Sequence, residues 1–92
     1  MEYINGSVMD FKFYTKLQDA KAYLEAIKHY KLEARHQKNI RKDWPQESVL
    51  NHIEQELDEL KEGFSKGDKN NVIEELADLI NCCEILATMV LF

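Results

Sequence analysis

Two stretches of this chain decide its fold: VLNHIEQELDELKEGFS at residues 49–65 and VIEELADLINCCEILATMV at residues 72–90. Both repeat apolar residues at spacings of three and four, the pattern of an amphipathic helix. Both also hold two carboxylates three residues apart, namely Glu56 and Glu59, then Glu75 and Asp78. Since residues three apart lie on one face of a helix, each pair projects in a single direction.

The four carboxylates meet at one place if the two helices fold back on each other. Such a cluster repels itself unless a cation sits in it, because like charges at close range oppose ionisation. Two pairs of this kind suit a hard divalent cation with oxygen ligands, typically Mg²⁺ that holds a phosphorylated substrate. The carboxylate pairs therefore predict a magnesium site and phosphate chemistry.

The rest of the chain is also expected to be helical. A first helix is predicted from near Asp10 to about Gln37, and its apolar seam is Phe13, Leu17, Ala20, Leu24 and Ile27. Pro45 is tolerated in the first turn of a helix and is expected to start the second one, which runs to about Ser65. The second apolar stripe is Val49, Leu50, Ile53, Leu57, Leu60 and Phe64.

The connection between the second and third helices holds the stop and start signals. Gly63 and Gly67 are expected to end the second helix, since glycine accepts the left-handed conformation found there. Asn71, followed three residues later by Glu74, resembles a capping box that starts the third helix. The residues predicted to point inward on that helix are Val72, Leu76, Ile80, Cys83, Leu86 and Val90.

Composition supports one all-α domain spanning residues 1–92. The chain has 3 glycines and 1 proline, with hydrophobic residues at 45% and charged residues at 32%. The short connection favours an antiparallel hairpin of helices two and three, next to a long N-terminal helix. The net charge of −5 argues against a general nucleic-acid binder, which normally carries a basic face.

The third helix is apolar on several sides and predicts subunit association. Leu79, Ile85, Ala87 and Met89 lie off its main stripe. One partner hairpin cannot cover such a helix. We expect a homodimer or homotetramer in which association completes a core of the four-helix-bundle type.

The cysteines and the chain ends favour a reduced, cytoplasmic setting. Cys82 and Cys83 are adjacent and point about 100° apart on a helix, so they are not expected to bond to each other; both are interpreted as small buried residues. The first residues lack the pattern of a secretory signal. The apolar C-terminal segment contains Glu84 and is too short for a membrane span, so no membrane partner is expected.

At this level of detail the chain resembles a known family. EQELDELKEG (54–63) and VIEELADLINCCEIL (72–86), preceded by RKDWP (41–45), look like the ExxE…ExxD signature of the MazG-like all-α nucleoside triphosphate pyrophosphatases. The similarity covers roughly residues 40–90. It implies an antiparallel helical bundle in dimers or tetramers. It also implies Mg²⁺-dependent hydrolysis of an NTP or dNTP to a monophosphate and pyrophosphate, a house-cleaning activity on the nucleotide pool.

The resemblance also implies roles for individual residues. The metal ligands would be Glu56, Glu59, Glu75 and Asp78, binding Mg²⁺ or, in its place, Mn²⁺. Glu59 is also the residue expected to orient the attacking water, and Asn81 is expected near the substrate. Many relatives carry a glutamate where this chain has Gln55, whose carbonyl can still bind but which brings no charge and cannot act as a base.

Positive charge for the phosphates is expected from the segment before the second helix. Lys38, Arg41 and Lys42 are the candidates for phosphate contact; the alternative is a solvated helix end, where the dipole favours cations. Trp44 either packs under the helix junction or stacks on a base. His29 and His52 have no Cys or His at ligand spacing and are expected at ordinary surface or core positions. Glu54 and Glu62 are expected in solvent.

Two other functions compete with the leading one. The first is the related phosphoribosyl-ATP pyrophosphatase, which shares the carboxylate logic, although nothing in the chain favours that substrate. The second is a non-catalytic helical interaction module, whose acidic stripe only solubilises and whose third helix binds a partner. The chain has no phosphate-cradling glycine loop, so nucleotide binding of the P-loop kind is not expected.

Overall fold

The protein is a three-helix structure with a very short strand pair before the helices. The computed structural model describes residues 3–4, 7–8, 11–36 and 44–92. Its elements are β1 (Tyr3–Ile4), β2 (Ser7–Val8), α1 (Phe11–His36), α2 (Gln46–Ser65) and α3 (Lys69–Leu91). The two strands pair antiparallel, with Tyr3 opposite Val8. The all-helical class is confirmed; strands of two residues are too short for their alternation to show in a sequence.

Helix α3 is the central element. It packs against both α1 and α2, whereas α1 and α2 do not contact each other within the described residues. The start of α2 lies beside the end of α3, where Gln46 Nε2 donates a hydrogen bond of 3.1 Å to the carbonyl of Met89. The end of α2 lies beside the start of α3, where Gly63 faces Asn71. These contacts show that α2 and α3 run in opposite directions.

The turn between α2 and α3 differs in detail from the prediction. Gly67 has a φ of 70°, and the N–H groups of Gly67 and Asp68 donate to the carbonyls of Phe64 and Gly63. This is the Schellman arrangement that ends many helices. The side chain of Asp68 then accepts a hydrogen bond from the backbone N–H of Asn71 at 3.1 Å and caps α3. The predicted capping box beginning at Asn71 is wrong. The left-handed conformation of Gly67 places the next residue, Asp68, where its side chain caps α3.

Gly63 does not end α2 as predicted; it lies buried inside that helix. A Cβ atom at this position would stand 2.6 Å from Nδ2 of Asn71. The glycine therefore permits a close approach of α2 to α3, and Gly67 alone supplies the left-handed residue of the turn.

The buried face of α2 is rotated by one residue from part of the predicted stripe. Val49, Glu56 and Gly63 are buried, seven residues apart. The apolar residue after each of them is exposed, namely Leu50, Leu57 and Phe64. A carboxylate thus occupies the middle of the face that the hydrophobic pattern assigned to leucine.

On helices α1 and α3, too, some polar residues are buried and some apolar residues are exposed. The buried residues of α3 are Ala77, Asp78, Asn81 and Cys82. The predictions that Cys83 is buried and that Cys83 and Val90 point inward are wrong, since both are exposed. On α1, Phe13 and Ala20 of the predicted seam are exposed and Lys28 is buried. None of the described helices combines the length and apolar character of a membrane span.

Candidate metal centre

Three of the four predicted ligands converge between α2 and α3. One carboxylate oxygen from each of Glu56, Glu75 and Asp78 lies within 4.8 Å of the other two. Glu56 and Asp78 are each only 2% exposed, and Glu75 is partly buried. The antiparallel arrangement of α2 and α3 brings these side chains together, because it places the middle of α2 against the first half of α3.

Burial and the close approach of several carboxylates raise the pKa of one member of the cluster, Glu75. Burial raises the pKa of Glu75 to about 8, and hydrogen bonds with Glu56 and Glu59, together with their charges, act in the same direction. The Oε2 atom of Glu75 is buried and accepts no hydrogen bond from the described residues. The cluster therefore holds a proton more tightly than a lone carboxylate does, because close carboxylates oppose each other's ionisation.

Glu59 stands at the edge of this cluster. Its side chain is exposed, and its carboxylate is not one of the three that share the 4.8 Å group. It does hydrogen bond to Glu75 and contributes to the raised pKa of that residue. Its roles as fourth ligand and as the water-orienting residue stay predictions.

A cation that the sequence reasoning missed lies beside the cluster. The ammonium of Lys31, on α1, is 3.6 Å from Oε1 of Glu74 and 3.8 Å from Oδ2 of Asp78. Lys31 follows Ile27 by one helical turn, so it continues the predicted apolar seam of α1. That position is the signal that could have found it. Glu74, which was predicted to cap α3, pairs with this lysine instead.

His52 is closer to the cluster than its interpretation as an ordinary surface or core residue suggested. Its Nε2 atom lies 3.1 Å from Oε1 of Glu56, one helical turn away. Ligand atoms of His52, Glu56 and Cys82 also lie within 4.8 Å of one another. The spacing of four residues between His52 and Glu56 was visible in the sequence, whereas the approach of Cys82 depends on how α3 packs.

Trp44 packs at the junction before α2. Its ring meets that of His52 edge to face, with centroids 5.9 Å apart and planes at 80°. This is the packing role that the sequence left open for Trp44, and the tryptophan thereby supports the histidine that touches Glu56. Stacking of Trp44 on a base stays a prediction.

Asn81 links α3 to α1. Its side-chain Nδ2 donates a buried hydrogen bond of 2.8 Å to the carbonyl of Lys28. The ammonium of Lys28 lies 2.8 Å from Glu84 and 3.0 Å from Glu25. The hydrogen bond with Glu84 raises the pKa of Lys28 although burial opposes it. The amide of Asn81 thus joins two helices; its contact with substrate stays a prediction.

The structure places no further predicted residue in this centre among those it describes. Lys38, Arg41 and Lys42 fall outside the described residues. Gln55 and Glu54 are exposed on α2, and Glu62 is exposed with a 2.8 Å contact to Lys66.

No protein-family model matches the chain, and no curated protein or solved structure shows significant similarity to it. The resemblance to the MazG-like enzymes therefore stays a prediction. The arrangement of charged side chains between α2 and α3 carries the functional argument.

Proposed function

We propose that this protein is a Mg²⁺-dependent nucleoside triphosphate pyrophosphohydrolase. The observation that carries the proposal is the convergence of Glu56, Glu75 and Asp78 within 4.8 Å between two helices. The resemblance of residues 40–90 to the MazG-like signature supports the same reaction. NTPs or dNTPs are the proposed substrates, and a nucleoside monophosphate and pyrophosphate are the products.

The donor set fits a hard cation. All three converging groups offer carboxylate oxygen, the ligand type that suits Mg²⁺ and Mn²⁺. The pKa of Glu75, raised to about 8 by burial and by Glu56 and Glu59, marks a cluster in need of positive charge. The bound cation would neutralise the triphosphate and polarise its phosphoryl oxygens. Glu56, Glu75 and Asp78 would hold it.

The side chains around Glu56, Glu75 and Asp78 have separate roles in the proposed reaction. Glu59 is exposed and hydrogen bonded to Glu75, so it can orient a water molecule and accept its proton. In the reaction the water oxygen bonds to the α-phosphorus, the anhydride bond to the β-phosphate breaks, and pyrophosphate leaves. His52 lies 3.1 Å from Glu56 and can hold its carboxylate in place, with Trp44 packed on the histidine.

We further propose that the protein works as a homodimer or homotetramer with a core of the four-helix-bundle type. The fully or nearly fully buried apolar side chains of the described residues are Val49, Ala77 and Cys82. Large apolar side chains remain exposed at the helix ends, including Phe64, Val90, Leu91 and Phe92. Exposed apolar side chains at both ends of the α2–α3 hairpin are candidates for contact with another subunit. A second copy covering them would extend the core.

A metal titration followed by a substrate panel tests the enzyme directly. We expect Mg²⁺ together with a non-hydrolysable triphosphate to raise the melting temperature, because both bind the folded state only. Pyrophosphate release from a panel of NTPs and dNTPs should require Mg²⁺ or Mn²⁺. Zn²⁺ belongs in the same titration, because His52 and Cys82 offer softer donors beside Glu56.

Two variants connect the activity to the cluster. Glu75→Gln should remove pyrophosphate release and leave the fold intact, whereas Glu54→Gln, an exposed change on α2, should leave both unchanged. If the wild type shows no shift with Mg²⁺ and releases no pyrophosphate from any substrate, the enzyme proposal is wrong. An interaction module, supported by the exposed apolar helix ends, would then take its place.

A further inference from the structure

A groove between α1 and α3 lies next to the carboxylate cluster and has no role in the reaction described so far. Its volume is about 360 Å³. Ligand pockets for small molecules start at roughly 300 Å³, so the groove is large enough for one flat ring system. Its walls are formed by Tyr23, Ile27, Tyr30, Asn70, Ile73 and Glu74.

Two tyrosines give the groove an aromatic wall. Tyr23 and Tyr30 lie on one face of α1, two turns apart, and are 61% and 70% exposed. Ile27 and Ile73 form the apolar floor, and Asn70 and Glu74 place an amide and a carboxylate at the rim. A planar heterocycle fits this chemistry, because an aromatic side chain can stack on its face while the amide and carboxylate bond to its edge.

The groove is continuous with the carboxylate cluster through one lysine. Glu74 lines the groove, and its Oε1 atom lies 3.6 Å from the ammonium of Lys31. The same ammonium lies 3.8 Å from Asp78, which belongs to the cluster. Lys31 is 23% exposed and so remains accessible to an anion. Groove, cation and carboxylates follow one another within about two turns of α3.

We propose that this groove binds the nucleobase of a nucleoside triphosphate and that Lys31 holds its phosphates beside the carboxylate cluster. The inference rests on the proposed function, since it assigns the parts of one substrate to neighbouring parts of one site. Lys31 is the cation of the described residues that lies between groove and cluster. When the carboxylates take a metal, the lysine can turn from Asp78 to a phosphate oxygen as a point charge with three donors.

Comparison of a nucleotide with inorganic tripolyphosphate tests the assignment, because tripolyphosphate carries the phosphates without a base. We measure the affinity of wild type and variants for a non-hydrolysable nucleoside triphosphate and for tripolyphosphate, both with Mg²⁺. The double variant Tyr23→Ala with Tyr30→Ala should lose roughly 10-fold or more in nucleotide affinity, as expected for lost base stacking. Its affinity for tripolyphosphate should be unchanged.

The lysine and a control complete the design. Lys31→Met keeps most of the side-chain volume and should weaken the binding of both ligands. Phe11→Ala removes an exposed aromatic residue of α1 outside the groove and should change neither affinity. The molecular mass of every variant is measured by light scattering, so that loss of subunit contact is seen separately from loss of ligand.

Three results would overturn the inference. The first is equal loss of both ligands in the tyrosine double variant, and the second is wild-type affinity for both. The third is a tyrosine variant that becomes monomeric yet binds nucleotide normally, which would make the groove a contact between copies of the chain. Failure of the enzyme proposal gives a different result. If the wild type binds nucleotide through the tyrosines but releases no pyrophosphate, the groove assignment stands and the proposed reaction is wrong.

Discussion

The centre of the α2–α3 contact buries polar side chains, whereas the ends of the helices expose apolar ones, which is the reverse of the usual distribution. At the centre, Glu56, Asp78 and Asn81 are buried, whereas Phe64 at the end of α2 is 75% exposed. Buried charge without compensation is costly, and exposed aromatic surface is an unused source of stability. The difference is in keeping with the proposals that the centre binds a cation and that the ends contact another subunit.

The largest expected effect is at the centre. Asp78→Asn should lower Mg²⁺-dependent pyrophosphate release by more than about 100-fold, because even residues that merely support metal ligands are worth roughly 10–100-fold. Without metal, the same variant should melt at or slightly above the wild-type temperature, since one source of carboxylate repulsion is removed. Steady-state kinetics and thermal melts give both numbers.

Unfolding of the Asp78→Asn variant would contradict the proposed difference between the centre and the helix ends. If Asp78→Asn unfolds the protein, the aspartate is structural and its burial reflects stability rather than binding. The control is Asp58→Asn, an exposed carboxylate on α2, which should leave activity and melting temperature unchanged.

The next effect concerns the helix ends. Phe64→Asp with Leu91→Asp should convert the oligomer into monomers and lower the melting temperature, because charge would be placed in an apolar contact. Light scattering gives the mass. If the protein is instead always monomeric, Phe64 and Leu91 are surface residues. The two changes should then alter the free energy of unfolding by no more than about 0.5 kcal/mol each.

Ser65→Asp is the control for the change at Phe64, because it adds one carboxylate beside Phe64 at an exposed polar position. It should leave the mass unchanged. Equal behaviour of this control and the double variant would show that the apolar ends do not hold subunits together.

A smaller effect is expected where α3 meets α1. Asn81→Ala removes the 2.8 Å hydrogen bond to the carbonyl of Lys28 and should lower the free energy of unfolding by about 1–3 kcal/mol. Denaturant titration measures it. Thr88→Ala removes an exposed hydrogen bond within α3 and should change the stability by less than about 0.5 kcal/mol.

The kinetics of the same variant address the substrate role of Asn81. If the amide also touches substrate, KM should rise at temperatures where the variant is fully folded. An unchanged KM would limit Asn81 to joining the helices.

A pH dependence of stability is also expected at the centre in the absence of metal. Burial, with Glu56 and Glu59 nearby, raises the pKa of Glu75 to about 8 from its ordinary value of 4.5. The folded state therefore binds a proton that the unfolded chain has released, and stability falls as pH rises between these values. Melting temperatures across this window should decline, and Glu75→Gln should flatten the decline.

The same raised pKa predicts proton release on metal binding. Mg²⁺ requires the ionised carboxylate, so its apparent affinity should increase with pH up to about 8. Calorimetry at pH 7 in two buffers with different ionisation enthalpies counts the protons. Absence of release would show that Glu75 does not ligate the metal.

Most of the secondary structure could be predicted from local signals. Pro45 marked the start of α2, and Gly67 marked its end, since each restricts the backbone in its own way. The start of α3 was missed by three residues, because Asn71 and Asp68 are both good capping residues and only the geometry of the turn selects between them. The burial pattern was harder, because the apolar stripe of α2 includes leucines that the isolated chain leaves exposed.

The candidate site was predicted in part for a related reason. Glu56, Glu75 and Asp78 were found because carboxylate spacing on a helix is a local property. Lys31 and Cys82 were missed because their approach to the carboxylates depends on how α3 crosses α1 and α2. Hydrophobic periodicity does not describe that crossing.

By itself the sequence determined three helices and the spacing of each carboxylate pair along them, and it predicted a cation among those carboxylates. These properties follow from helical spacing and charge, which act over a few residues. The tertiary structure decided that Glu59 stays at the edge of the cluster, that His52 supports Glu56, and that Lys31 reaches Asp78 from α1. Contacts between helices settle such points, because the packing of α3 against both neighbours sets distances that no single helix contains.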